Sequence, residues 1–142
     1  MSNKNPSQKA DDIIHVLFVG DDSYFADITK TILERLGYII SSAYNSSEAI
    51  DLMIQYHDVF DVMITDYSMP GMNGIELAKL ATKIFIDTPI ILYTGNFDMI
   101  DKQQISDSCV AEVVKKPCKI KDLDVIIKKV LDLKEDVLNV HE

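Results

Sequence analysis

At 142 residues and 47% hydrophobic content, the chain is the size of one domain and holds enough apolar material for a core that needs no disulfide or metal staple. Its 23 acidic and 14 basic residues give a formal net charge of −9, which argues against a surface built for nucleic-acid backbones, where Lys and Arg must cluster. The short basic groups at Lys115, Lys116, Lys119 and Lys121 and at Lys128-Lys129 are interrupted by acids and read as solvated helix faces beside one site lysine.

Residues 1–12 (MSNKNPSQKADD) are polar throughout and are expected to form a disordered tail. A first strand is expected over 14–19, then a helix from Ser23 with Phe25, Ile28, Ile32 and Leu36 on one stripe, stopped by Gly37. A second strand over 38–43 leads through the capping signal Asn45-Ser46-Ser47 to a helix over 48–56. The third strand ends at Asp66, and a helix over 75–85 places Leu77, Ala78, Ala81 and Phe85 on one face. A fourth strand covers 90–94, and 97–108 makes the weakest helix, anchored only by Met99, Ile100 and Ile105. After a fifth strand ending near Lys116, the last helix carries Ile120, Leu123, Ile126, Ile127, Val130, Leu133 and Val137. Five alternating strands and helices imply an α/β fold: a doubly wound parallel sheet with right-handed crossovers and helices on both faces.

The segment VMITDYSMPGMNG, residues 62–74, is the most informative stretch. Val62 to Thr65 suit a buried parallel strand, whereas Pro70, Gly71, Asn73 and Gly74 cannot continue one, so Asp66 falls at a strand end. Taken alone, that is equally an Asp capping a turn. Three other apolar runs also finish in polar groups: HVLFVGDD in Asp21 and Asp22, PIILYTG in Thr94, and EVVKKP in Lys116. Neighbouring parallel strands would collect these groups at their carboxyl ends, where ligands bind in open α/β sheets. Carboxylates suit Mg²⁺, a hydroxyl can donate to a phosphoryl oxygen, and Lys reaches in as a mobile charge. An aspartate in such a place can accept a phosphoryl group as an acyl phosphate.

The order and spacing of the acidic residues, the DYSMPGMNG segment, Thr94-Gly95 and Lys116-Pro117 together resemble the receiver domain of two-component response regulators, over residues 14–131. The resemblance implies the flavodoxin-like strand order 2-1-3-4-5, a receiver domain over 13–131 and a helical extension or tail over 132–142. It implies Asp66 as phosphoacceptor, Thr94 as switch hydroxyl and Lys116 as the site lysine. Mg²⁺ would be held by Asp21, Asp66 and the backbone carbonyl of Ser68, with Asp22 as a further candidate ligand. A histidine kinase or histidine phosphotransfer protein would supply the phosphoryl group, and a downstream protein would receive the signal. Two positions depart from the family pattern. Gly20 stands where the first of two acids is usual, which weakens the expected metal site, and Val113 stands where a switch aromatic is usual. Tyr93, next to Thr94, does not replace that aromatic by position and is expected on a different surface.

Two other classes compete with this reading. A phosphatase working through an aspartyl-phosphate, of the haloacid-dehalogenase type, would need an acid two residues after the nucleophile, and this chain has Ser68. A pseudo-receiver, an interaction module independent of phosphorylation, would be supported by Gly20 and Val113 and opposed by Asp21, Asp66, Thr94 and Lys116. Cys109 and Cys118 form no CxxC pattern and read as thiols in a reducing compartment, and His15, His57 and His141 lack metal-ligand spacing. No signal peptide and no membrane span are visible, so a cytoplasmic protein without a membrane partner is expected. With about ten residues after the last helix's normal end, no output module is expected. The helix's apolar stripe suggests a homodimer contact.

Overall fold

The computed structural model describes residues 13–85, 87–95, 98, 100–116 and 118–140, the last eight by backbone alone. The expected tail over 1–12, Phe97, Met99 and His141 lie outside the described residues, as do the side chains of Leu133 and Val137. Five strands, β1 (His15–Val19), β2 (Ile39–Ala43), β3 (Val62–Asp66), β4 (Ile90–Thr94) and β5 (Glu112–Lys115), alternate with helices α1 (Ser23–Arg35), α2 (Ser46–Gln55), α3 (Gly74–Ile84), α4 (Lys102–Asp107) and α5 (Ile120–Val140). The sheet is parallel, in the order β2-β1-β3-β4-β5. The expected topology is therefore the observed one.

The alternation of side chains along each strand divides the core between the two sheet faces. Val16, Phe18, Val62, Ile64, Ile91, Tyr93 and Val114 pack against Ala26 and Leu33 of α1 and Leu123, Ile127 and Val130 of α5. Leu17, Val19, Met63 and Ile90 face the other way, onto Ala49 and Met53 of α2 and Leu77, Ala78 and Ala81 of α3. β3 and β4 are buried at every position, as central strands of a covered parallel sheet must be. A smaller group, Ile75, Leu92 and Ile100 with half-buried Tyr67, Ile105, Val110 and Val113, lies beside the short α4.

Two helix readings need correction. Of the stripe expected on α1, Phe25 packs against the core and Ile32 is half-buried, but Ile28 and Leu36 are exposed, and the fully buried residues are Ala26, Thr29 and Leu33. Beside Leu33, α1 approaches the sheet through the small residues Ala26 and Thr29. α4 spans only six residues and buries none of them, so the weak anchoring seen in the sequence becomes a shorter helix than expected. Gly37 does end α1, at a φ of 103° that suits glycine. Tyr38, directly before β2, donates its hydroxyl to Asp124, tying α5 to the sheet.

Candidate functional site

The loops that carry the site are shaped by local chain chemistry. Asn73 and Glu76 form a reciprocal capping box that starts α3 directly after the turn. Gly74 is required there, because a Cβ at that position would lie 2.1 Å from the Asp66 carbonyl oxygen. Its N–H donates to the Tyr67 carbonyl at 2.8 Å, which folds the segment after β3 back on itself and leaves Asp66 at the sheet's carboxyl edge. Across the sheet Asp66 is in register with Tyr93, and Thr94 with Lys115. The Lys116 N–H donates to the Thr94 carbonyl at 2.8 Å, so the lysine leaves the sheet beside the threonine.

Asp66 is 6% exposed, and its Oδ1 lies 2.7 Å from Lys116 Nζ. Burial pushes its carboxyl above the ordinary value, opposed by the hydrogen bond and charge of Lys116 and assisted by repulsion from Asp21 and Asp22. All three carboxylates therefore belong to one electrostatic unit with the lysine. Thr94 is buried at the end of β4, and Ser68 is exposed two residues beyond Asp66. Asp21 is exposed just past β1. Asp22 is engaged elsewhere, since its carboxylate caps α1 by accepting the Phe25 N–H at 3.1 Å.

At Gly20 the backbone comes so close to Asp66 that an added Cβ would lie 2.7 Å from its Oδ2. The carboxylate thus occupies the room that a side chain would take. The family resemblance assigns a divalent cation to the carboxylates of Asp21 and Asp66 and the carbonyl of Ser68. These hard oxygens fit Mg²⁺, which is commonly held by one or two carboxylates with water and phosphate completing its shell. Among the described residues no cluster of three or more acidic, His or Cys side chains forms a full metal cage.

Sequence reading missed the surroundings of the lysine. Lys116 Nζ lies 5.5 Å from the Phe25 ring centroid and 5.0 Å from that of Tyr93. In sequence Phe25 belongs only to a helix stripe and Tyr93 is expected on another surface, yet Tyr93 is 1% exposed and packs inside the α1–α5 face. The available signal was the proximity of both aromatics in sequence to site positions, Tyr93 directly before Thr94 and Phe25 three residues after Asp22.

Comparisons with known proteins agree with this arrangement. The family model described as "Response regulator receiver domain" matches residues 16–128. The chain is 32% identical over 124 residues to "Putative two-component response regulator ARR21" of Arabidopsis thaliana, covering 87% of this chain and 20% of that protein. It is 28% identical over 109 residues to "Uncharacterized transcriptional regulatory protein YkoG" of Bacillus subtilis (strain 168), covering 77% of this chain and 47% of that protein. The chain thus spans from a fifth to about half of the length of these curated relatives. Among solved structures, a response regulator receiver domain protein from Clostridium thermocellum superposes with a TM-score of 0.81 at 25% identity, covering 88% of this chain and 99% of that one. A CheY-like receiver domain protein from Methanospirillum hungatei JF-1 gives 0.78 at 27% identity, covering 88% and 98%. With its sheet order, its strand-end acids and lysine and the match over 16–128, this chain belongs to the response regulator receiver domain family of two-component signal transduction.

Proposed function

We propose that the chain is a phosphoacceptor switch, in which Asp66 takes a phosphoryl group from the phosphohistidine of a histidine kinase or a histidine phosphotransfer protein. The observation that carries this reading is the buried Asp66 carboxylate at the sheet's carboxyl edge, 2.7 Å from the Lys116 ammonium. A carboxylate oxygen forms the new bond to phosphorus while the phosphorus–nitrogen bond breaks, and its electron pair returns to the donor imidazole. Lys116 lowers the repulsion between the carboxylate and the incoming anion, and afterwards pairs with the phosphoryl oxygens. Thr94, at the end of the adjacent strand, offers its hydroxyl to the same group. Asp21, Asp66 and the Ser68 carbonyl would hold Mg²⁺, which supplies charge neutralisation at the transferring group.

Signal output is a population shift, since a covalent charge favours whichever conformation binds it better. The receiving partner is a downstream protein and not nucleic acid, a reading supported by the net charge of −9. We place the protein in the cytoplasm. The free thiols of Cys109 and Cys118 suit a reducing compartment, and among the described residues no helix is long and apolar enough to cross a membrane.

Incubation with acetyl phosphate and Mg²⁺, followed by intact-mass analysis, tests the assignment. One phosphoryl adduct is expected on the native chain and none on Asp66→Asn. An adduct that persists in the variant moves the acceptor elsewhere, and no adduct on either protein leaves an interaction module that works without phosphorylation.

A further inference from the structure

We infer that Phe25 and Tyr93 are positioning residues, which hold the Lys116 ammonium against Asp66 and couple the state of that carboxylate to helix α1. A lysine at this place has a long, flexible stem and no fork geometry to fix it, so its direction must come from what surrounds its tip. Here the surroundings are drawn from three elements. Asp66 of β3 lies 2.7 Å from Nζ, the Tyr93 ring of β4 has its centroid at 5.0 Å, and the Phe25 ring of α1 at 5.5 Å. Both rings are within the roughly 6 Å at which an aromatic face attracts a cation.

The rings are themselves held. Phe25 and Tyr93 pack with centroids 5.8 Å apart and a 47° tilt, and Phe18 of β1 backs Phe25 at 6.5 Å. Phe25 sits in the first turn of α1, where its own N–H is bound by the Asp22 cap. The chain Asp66–Lys116–Phe25 therefore runs from the carboxylate to a helix through contacts on the α1–α5 face of the sheet. Val113 lies on the opposite face, with Leu92 and Ile75, and has no ring to move. A phosphoryl group on Asp66 places new anionic oxygens beside the ammonium, and drawing Nζ toward them withdraws it from the rings, so the first turn of α1 repacks.

This inference rests on the phosphoacceptor reading for its response, but its positioning half does not, and the test separates them. In Phe25→Leu and Tyr93→Leu one ring is lost and an apolar side chain kept, whereas Tyr93→Phe keeps the ring and loses only the hydroxyl. In the unphosphorylated, metal-free protein the Lys116 ε-methylene protons should be shifted upfield by ring currents in the native chain and in Tyr93→Phe, and should move back in both Leu variants. The initial rate of labelling by acetyl phosphate with Mg²⁺ is expected to fall about three- to tenfold in the Leu variants and to stay within about twofold of native in Tyr93→Phe. Because Tyr93 is buried and its Leu variant risks unfolding, the half-buried position 25 carries the decision if circular dichroism shows loss of structure. An unchanged methylene shift in folded Phe25→Leu, or a native labelling rate despite a lost shift, would overturn the inference. If the native chain takes no label, the phosphoacceptor reading falls, while the methylene shift still decides whether the rings hold the ammonium.

Discussion

At the scale of single residues, the site balances burial of Asp66 against its pairing with Lys116. Burial dominates and raises the carboxyl above its ordinary 3.8. A carboxyl that holds its proton more tightly in the fold than in the unfolded chain stabilises the fold at pH below the unfolded value. That contribution is lost as pH rises through the folded value. Ionised Asp66 therefore weakens the native state at neutral pH, and Lys116, whose side chain is 32% exposed, can fall back on water when its partner is removed. Asp66→Asn is expected to melt a few degrees above the native chain at pH 7, with the gain shrinking as pH falls toward about 4. A lower melting temperature at pH 7 would mean that the ion pair outweighs desolvation. Gly20 supplies the second prediction. An acid at that position adds a hard ligand but pushes on Asp66, whose Oδ2 lies where a Cβ would come within 2.7 Å. Gly20→Asp is thus expected to bind Mg²⁺ more tightly by calorimetric titration and to melt lower without it. Equal affinities would show that water or Asp22 already completes the shell.

Among the elements, the junction between β3 and α3 has the least room. The Cβ of Gly74→Ala would meet the Asp66 carbonyl oxygen at 2.1 Å and Leu92 Cδ1 at 2.8 Å, so backbone and not just a side chain must yield. Denaturant unfolding of Gly74→Ala should show a loss of about 1–3 kcal/mol or more, together with slower phosphoryl uptake, because the carbonyl that moves belongs to the acceptor residue. Native stability and labelling would place the true close approach elsewhere. β5 offers the contrasting case. Val113 is half-buried beside Leu92, Ile75 and Ile100, on the sheet face opposite the Phe25 and Tyr93 rings. Truncation in Val113→Ala should cost about 1 kcal/mol as a lost packing contact and leave the labelling rate of the folded protein near native. A variant of native stability that no longer responds to phosphodonor would restore position 113 to the signalling route.

For the whole molecule, helix length and sheet height disagree. Strands of four or five residues rise about 13–17 Å, whereas the 21 residues of α5 span about 31 Å, so the helix outruns the layer it covers. Leu123, Ile127 and Val130 of its first half are buried against the sheet. In sequence, Leu133, Val137 and Val140 continue beyond them at spacings of four and three, the spacing of a two-stranded coiled-coil seam. We propose that a second copy of the same helix packs against this end. Sedimentation of the native chain should show a dimer that is lost on truncation after Leu131, while the truncated domain keeps its melting temperature. A monomer in both forms would make the overhang a passive end.

Fold class, the strand order implied by the family resemblance, and the strand-end positions of Asp66, Asp21, Thr94 and Lys116 were all legible along the chain. Strand ends followed by turn formers are local signals, and the polar residue at each end is read directly from the chain. The sequence also marked α4 as weak and Gly37 as a helix stop, which are local matters of side-chain supply and backbone freedom. The face that α1 buries was not legible, because Ala26 and Thr29 carry too little apolar weight to outvote Ile28 and Leu36 until the sheet is there to approach. The same limit hid the closeness of Gly20 and Gly74 to Asp66, and the rings of Phe25 and Tyr93 around Lys116. Except for Gly74, which meets Asp66 across the turn between β3 and α3, these are distances between residues far apart in the chain, and they exist only once parallel strands and their crossover helices have been packed into one sheet.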